Sequence, residues 1–296
     1  MSAKTHDRIA TVLLYIIAIS IIILLISIMG YILYKGYRVI DWHFLTAPSE
    51  TFKAGGGIGP QIFNSLFMLI LAMLFTVPLG LGCGIYLTEY ARPGRFTEAI
   101  KLCIETLASL PSIVVGLFGL LVFVGMTGWG YTLIGGAFSV TIINLPVMTR
   151  VCGDTIRNVP DKLREASLSL GATKWQTMTK DILPVAMPGI ITGIILTSGR
   201  VFGEAAALIY TAGLSSPNLD FKVWNFINPR SPLHLMRPAE TLAVHIWKVN
   251  SEHLLPDTRD VADGSAVVLI IIILIFNFTA RCLGSYIQTR FNGRKS

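Results

Sequence analysis

Five stretches of this chain contain no Asp, Glu, Lys or Arg: 9–34, 62–88, 106–149, 182–199 and 264–280. Nothing else in the sequence limits its fold so strongly. A helix needs ~20 apolar residues to cross the hydrocarbon core of a bilayer. A spanning backbone must also satisfy its own hydrogen bonds, which such a stretch does as a helix. The third stretch is about twice the spanning length, and Gly125-Met126-Thr127-Gly128-Trp129-Gly130 predicts its break into a tight hairpin. The stretch from Ile182 is expected to run on as helix past Arg200 and Glu204 to about Tyr210. Six spans result, and an all-α membrane protein. Hydrophobic residues at 53%, charged residues at 14% and a mean hydropathy of +0.65 exclude an ordinary soluble domain.

Basic residues then orient the spans. With the N-terminus inside, 15 of the 24 Lys and Arg residues fall on inner segments and eight on outer ones, with Arg200 inside a span. This asymmetry predicts both termini in the cytoplasm. Acidic residues split evenly, so the formal charge of +7 reflects topology and calls for no nucleic-acid partner. The first apolar run, 26 residues from Ile9 to Tyr34, exceeds the ~7–15 of a signal-peptide core and reads as an uncleaved anchor. Cys83, Cys103, Cys152 and Cys282 lie in spans or near their inner ends without metal-ligand spacing, which fits small packing residues. Residues 1–60 are thus expected to form an anchor and external segment, and 61–296 the main body, with an external loop at about 211–263.

The inner connection 150–181 is organised beyond what a linker needs. Pro160 suits a first helical position and Asp161 the positive end of a helix dipole. Leu163, Ala166 and Leu170 share one helical face, Gly171 suits a left-handed helix end, and Ala172 and Trp175 open a second helical stretch. Such a piece fits a cleft in a soluble partner or, alternatively, rests on lipid headgroups.

Its spacing supplies more. Glu165-Ala166-Ser167, Gly171 six residues after the Glu, and Leu183-Pro184 resemble the EAA loop of ABC-importer permeases, with Asp181 where the family often has Ile. Further blocks resemble the phosphate-specific permeases of the Pst system: Gly56-Gly57-Ile58-Gly59-Pro60, Gly84-Ile85-Tyr86-Leu87-Thr88-Glu89-Tyr90, Leu110-Pro111-Ser112 to Leu117, and Arg200-Val201-Phe202-Gly203-Glu204. Arg237-Pro238-Ala239-Glu240-Thr241, continuing to His245 and Trp247, resembles the PstA-type subunit. The resemblance implies a MetI-like type I ABC importer permease in a prokaryotic plasma (inner) membrane. It implies a PstC-like permease partner, two copies of an ABC ATPase subunit and an extracytoplasmic phosphate-binding protein. Glu165, Ala166, Ser167 and Gly171 would form the coupling helix that docks on the ATPase. Ala205 and Ala206 stand where the family commonly has Thr and Pro.

Arg200 and Glu204 are costly inside a span, at roughly 2.5–3.5 kcal/mol for a central charge, so such groups face a protein interior or a water path. Four residues apart on one helix, they are positioned to pair. Together they suit an anion path, since a guanidinium matches a tetrahedral oxyanion. The alternative is a structural ion pair.

Other signals are weaker. Gly80-Leu81-Gly82-Cys83-Gly84 and Gly116-Leu117-Phe118-Gly119 lie in apolar spans and fit close helix packing better than phosphate binding. Pro78, Pro111, Pro146 and Pro188 are expected to bend helices, and Asn64, Ser65 and Asn144 to bond between them. The five histidines form no ligand cluster. The chain has no Gly-Lys dipeptide and so no Walker-type phosphate loop, no catalytic constellation, and no motif for a metal or cofactor. A transport subunit for phosphate follows, driven by a separate ATPase. Sulfate or molybdate is the alternative cargo, and an ion-gradient carrier or a membrane-bound enzyme the alternative class.

Overall fold

A computed structural model describes residues 3–49, 55–252 and 258–292; their regular structure is helical, with no strand among them, and 212–241 form an irregular segment. Lys53, His253, Pro256, Arg294 and Lys295 lie outside the described residues. Inner and outer ends are named below by the orientation that the charges predict.

The chain opens with α1 (Ala3–Gly36), which a single 3-10 turn at Tyr37–Val39 and the short α2 (Trp42–Thr46) follow. α3 (Gly59–Ile85) then descends, with Pro60 in its first turn, where the missing N–H costs nothing. α4 (Arg95–Ser109) and α5 (Ser112–Gly119) meet at Leu110-Pro111, and α6 (Leu133–Arg157) returns inward. α7 (Asp161–Ser169) and α8 (Lys174–Thr177) form the inner connection. α9 (Leu183–Gly203), α10 (Ala206–Thr211), α11 (Leu242–Glu252) and α12 (Thr258–Asn292) complete the chain.

Five helical segments are long and apolar enough to cross a membrane: His6–Val39, Gly59–Tyr90, Leu133–Arg157, Lys174–Gly203 and Thr258–Tyr286. The sixth expected span is a bent pair, Arg95–Ser109 with Ser112–Met126, broken by 102°. The expected hairpin is present between Met126 and Leu133, where Gly128 and Gly130 both take φ of +69°. The break at Pro111 is sharper than a bent span. Proline removes the N–H that would continue α4, and Leu110 before it is extended (ψ 135°). Pro78, Pro146 and Pro188, by contrast, sit within continuous helices.

α3, α6 and α9 pack into a central bundle, closed by α10 and α12. Met68, Leu69 and Ala72 of α3 bury against Leu133, Ala137 and Val140 of α6, with Val201, Phe202 and Leu208 behind them. At the inner end Met148, Cys152 and Ile156 meet Met178, Ile182, Ala186 and Ile190. Glycine lets α3 and α6 approach closely: a Cβ at Gly84 would lie 2.7 Å from that of Cys152, and one at Gly80 2.6 Å from Met148 Cγ. Gly116 and Gly119 admit α10 and α6 to α5 in the same way. Gly80, Gly84, Gly116 and Gly119 are thus helix contacts, as their apolar setting predicts, whereas Gly82 faces open space. α1 stands apart, its apolar side chains exposed, and packs along α12.

Candidate functional site

The inner connection is built as its sequence suggests. α7 ends in a Schellman arrangement: Gly171 takes φ +84°, its N–H donates to Leu168 O at 3.0 Å, and Ala172 N–H donates to Ser167 O at 3.3 Å. Thr173 caps α8 through a reciprocal box with Gln176. Two short helices thus turn about one glycine.

The buried and exposed faces of α7 differ in part from expectation. Leu163 packs against the inner core, whereas Ala166 is exposed and Leu170 is 89% exposed. The face expected to be continuous is therefore split, because the chain has already left the helix at Leu170. Glu165, Ala166, Leu168, Leu170 and Gly171 look outward, joined by Trp175 at 63% exposure. Ser167 is buried: its hydroxyl donates to Asp181 Oδ2 at 2.7 Å and lies 2.9 Å from Thr177 Oγ1. Asp181 replaces an apolar residue of the usual pattern and gives Ser167 a partner.

Arg164 pins the other flank. Its Nε and Nη2 both reach Glu89 Oε1 at 2.9 Å, and Nη1 reaches Asp161 Oδ1 at 2.8 Å. Nη1 and Nη2 also donate to Val159 O and Ile156 O, each at 2.8 Å. Sequence reading passed over this residue, although it directly precedes Glu165.

At the fifth span the expected ion pair is absent. α9 ends at Gly203, Glu204 turns extended (φ −75°, ψ 119°), and no ion pair joins it to Arg200 among the described residues. The physical reason is a competing partner. Glu204 Oε1 accepts from Ala207 N–H at 3.1 Å, satisfying one of the free amides that begin α10. Arg200 is exposed in the last turn of α9, where its charge complements the helix dipole. No hydrogen bond or ion pair engages it among the described residues. It lies about 26 Å along the axis from Leu183 at ~1.5 Å per residue, toward the outer side.

A third polar group, at the outer end, was recognised in sequence only as a family block. Arg237, 2% exposed, donates through Nη2 to Asn64 Oδ1 and Pro232 O at 2.8 Å and through Nη1 to Pro238 O at 3.2 Å. Asn64 Nδ2 donates in turn to Glu240 O at 2.9 Å, and Leu242 N–H donates to Ser65 Oγ at 2.8 Å. Buried Glu240 accepts from Gln61 Nε2 at 3.2 Å, pairs with His245 Nδ1 at 2.9 Å and lies 3.7 Å from Lys248. Burial pushes the Arg237 guanidinium down to about 10, so it remains a cation at neutral pH. The i, i+3 pairs Gln61/Asn64 and Arg237/Glu240 were the available signal, each placing two polar groups close along the chain.

One cavity of about 180 Å³ opens at the inner end between α3, α4 and α6. Lys101, Arg150 and Arg157 line it together with Glu105 and Asp154. Mixed charge of this kind fits a wet cleft better than a dedicated anion site.

A bundle of five or six apolar spans around a braced inner loop suits a membrane transport permease. Comparison with known proteins gives the family: residues 76–293 match the binding-protein-dependent transport system inner membrane component, and the chain belongs to it. It is 51% identical over 290 residues to the probable ABC transporter permease protein YqgI of Bacillus subtilis (strain 168), covering 98% of this chain and 99% of that one. It is 32% identical over 238 residues to the phosphate transport system permease protein PstA 1 of Mycobacterium tuberculosis (strain ATCC 25618 / H37Rv), covering 79% and 71%. Among solved structures, a bacterial ABC transporter for import of the acidic polysaccharide alginate superposes with TM-score 0.63 at 15% identity, over 96% of this chain and 99% of that one. The MetNI methionine ABC transporter in an inward-facing form gives 0.59 at 19% identity, over 76% and 93%. These two likenesses establish the MetI-like fold. Permeases of this family work with an ATPase and a substrate-binding protein.

Proposed function

We propose that this chain is the permease subunit of an ATP-driven importer that carries inorganic phosphate inward, with both termini in the cytoplasm. Its relatives named as phosphate permeases support the cargo, and Arg200 is the observation that carries it. An exposed, unpaired guanidinium is costly against the hydrocarbon core, and near a span end it reaches the headgroup interface, a water path or a partner. Of these settings the water path is the one that gives the charge a use in a permease of an anion. The structure removes Glu204 as its counter-ion, which leaves the positive field of Arg200 available to an anion. Glu204 contributes indirectly by setting the α9–α10 bend at the mouth of that path.

In this reading Glu165, Ala166, Ser167 and Gly171 shape the docking element for two copies of an ABC ATPase. A PstC-like chain completes the pathway, and an extracytoplasmic phosphate-binding protein delivers the anion, with 211–263 as a contact for it or for the second permease. Residues 61–296 form the permease core and 1–60 the anchor.

Arg200→Ala is expected to reduce labelled phosphate uptake in proteoliposomes to background while the complex still assembles. Normal uptake in that variant overturns the pathway role. Uptake of sulfate or molybdate but not phosphate by the native complex favours the second oxyanion reading.

A further inference from the structure

The docking helix is too short to carry force by itself. α7 has nine residues, and isolated helices below ~12–15 residues are marginal in water. A partner pulling on Leu168 or Leu170 would tilt or unwind it unless something tied it to the spans. Two polar clamps do so, one on each flank. Arg164 ties it to α3 through Glu89, and to the end of α6 through Ile156 O and Val159 O. Ser167 ties it to the head of the α9 segment through Asp181 and Thr177.

Both anchoring carboxylates sit in π-helical turns. Glu89 lies in Tyr86–Tyr90, where Ala91 N–H donates five residues back to Tyr86 O at 2.8 Å. Asp181 lies in Met178–Ile182, where Leu183 N–H donates five residues back to Met178 O. A π turn accommodates one extra residue and so rotates the side chains that follow by ~100° relative to a regular helix. Two separate spans thus depart from α-helix at the places where they hold α7. A third π stretch, Leu120–Met126, occurs at the hairpin, so such turns are not confined to the inner end.

From this geometry we propose that Arg164 is the positioning residue of the coupling element. Glu89 and Asp181, each presented by a π turn, transmit displacement of α7 to α3 and α9. The inference rests on the importer reading above. It adds that α7 is rigidly fixed to three spans rather than hinged, and that the path to α3 runs through one ion pair. Half-buried on both sides, with side-chain exposures of 17% and 19%, that pair is shielded from salt more than a surface pair.

Glu89→Ala severs the link to α3 alone, since Arg164 keeps its two carbonyl partners and Asp161. In the complete reconstituted complex we expect the ATPase to co-purify with this variant. Stimulation of ATP hydrolysis by phosphate-loaded binding protein should fall at least tenfold, and Arg164→Gln/Glu89→Ala should be no worse than Arg164→Gln alone. Amide exchange of 162–170 should rise in Arg164→Gln and hardly change in Glu89→Ala. Native stimulation in Glu89→Ala overturns the proposal, as does loss of the ATPase from that variant, which marks a purely structural pair. A native complex that binding protein does not stimulate overturns the importer reading instead. The exchange measurement then decides the clamp by itself, and unchanged exchange in Arg164→Gln overturns it.

Discussion

Two arginines organise the two ends of this molecule, and they do so differently. Arg237 at the outer end is almost wholly buried and grips two backbone carbonyls and an amide, with no ion pair to a carboxylate among the described residues. Arg164 at the inner end is partly open to solvent and divides its donors between two carboxylates and two carbonyls. The outer group welds a long loop onto α3, which suits the receiving surface proposed for that loop. The inner group ties a helix to the spans while its opposite face stays exposed, as the proposed docking element requires. Burial marks the place where shape is fixed; partial exposure and charge pairing mark the place where, in the proposed mechanism, force passes.

The sharpest way to break this contrast is to truncate the buried member. Arg237→Ala leaves Asn64 Oδ1, Pro232 O and Pro238 O without their donor in a dry site. Unsatisfied buried groups cost ~1–3 kcal/mol each, so a loss of about 3 kcal/mol or more is expected, read as a lowered unfolding midpoint of the detergent-solubilised permease. Arg237→Lys should recover only part of it, since an ammonium does not reproduce the guanidinium fork. A midpoint unchanged by Arg237→Ala would show that the outer cluster is not the weld described.

The smallest effect on stability belongs to the inner face. Leu170→Ser, at an 89% exposed position, should leave the midpoint within ~0.5 kcal/mol of native and yet weaken capture of the ATPase subunit. A destabilised variant with full capture would reverse the assignment of that face.

Much of this was readable in advance because the signals were local. Uncharged runs mark the spans, Gly125–Gly130 marks the hairpin, and Gly171 marks the turn after α7 through capping chemistry that needs no distant partner. What escaped depended on contacts between remote residues. Glu204 has Arg200 at ideal helical spacing, but a free amide at Ala207 competes for it and the helix ends first. Asp181 looks like a deviation until Ser167, fourteen residues away, is seen to need it. Arg164 and Glu89 are 75 residues apart, and Arg237 and Asn64 are 173 apart. The π turns leave no composition or period to read, since each differs from an α-helix by one residue of register.

In the proposed mechanism the inner loop transmits the work of a separate ATPase to these spans. The direct test is ATP hydrolysis by the complete complex in proteoliposomes, with binding protein empty or phosphate-loaded. Loaded protein should stimulate hydrolysis in the native complex, and that stimulation should vanish, with the spans still inserted, when residues 161–171 are replaced by a flexible linker. Stimulation that survives the replacement would contradict that mechanism.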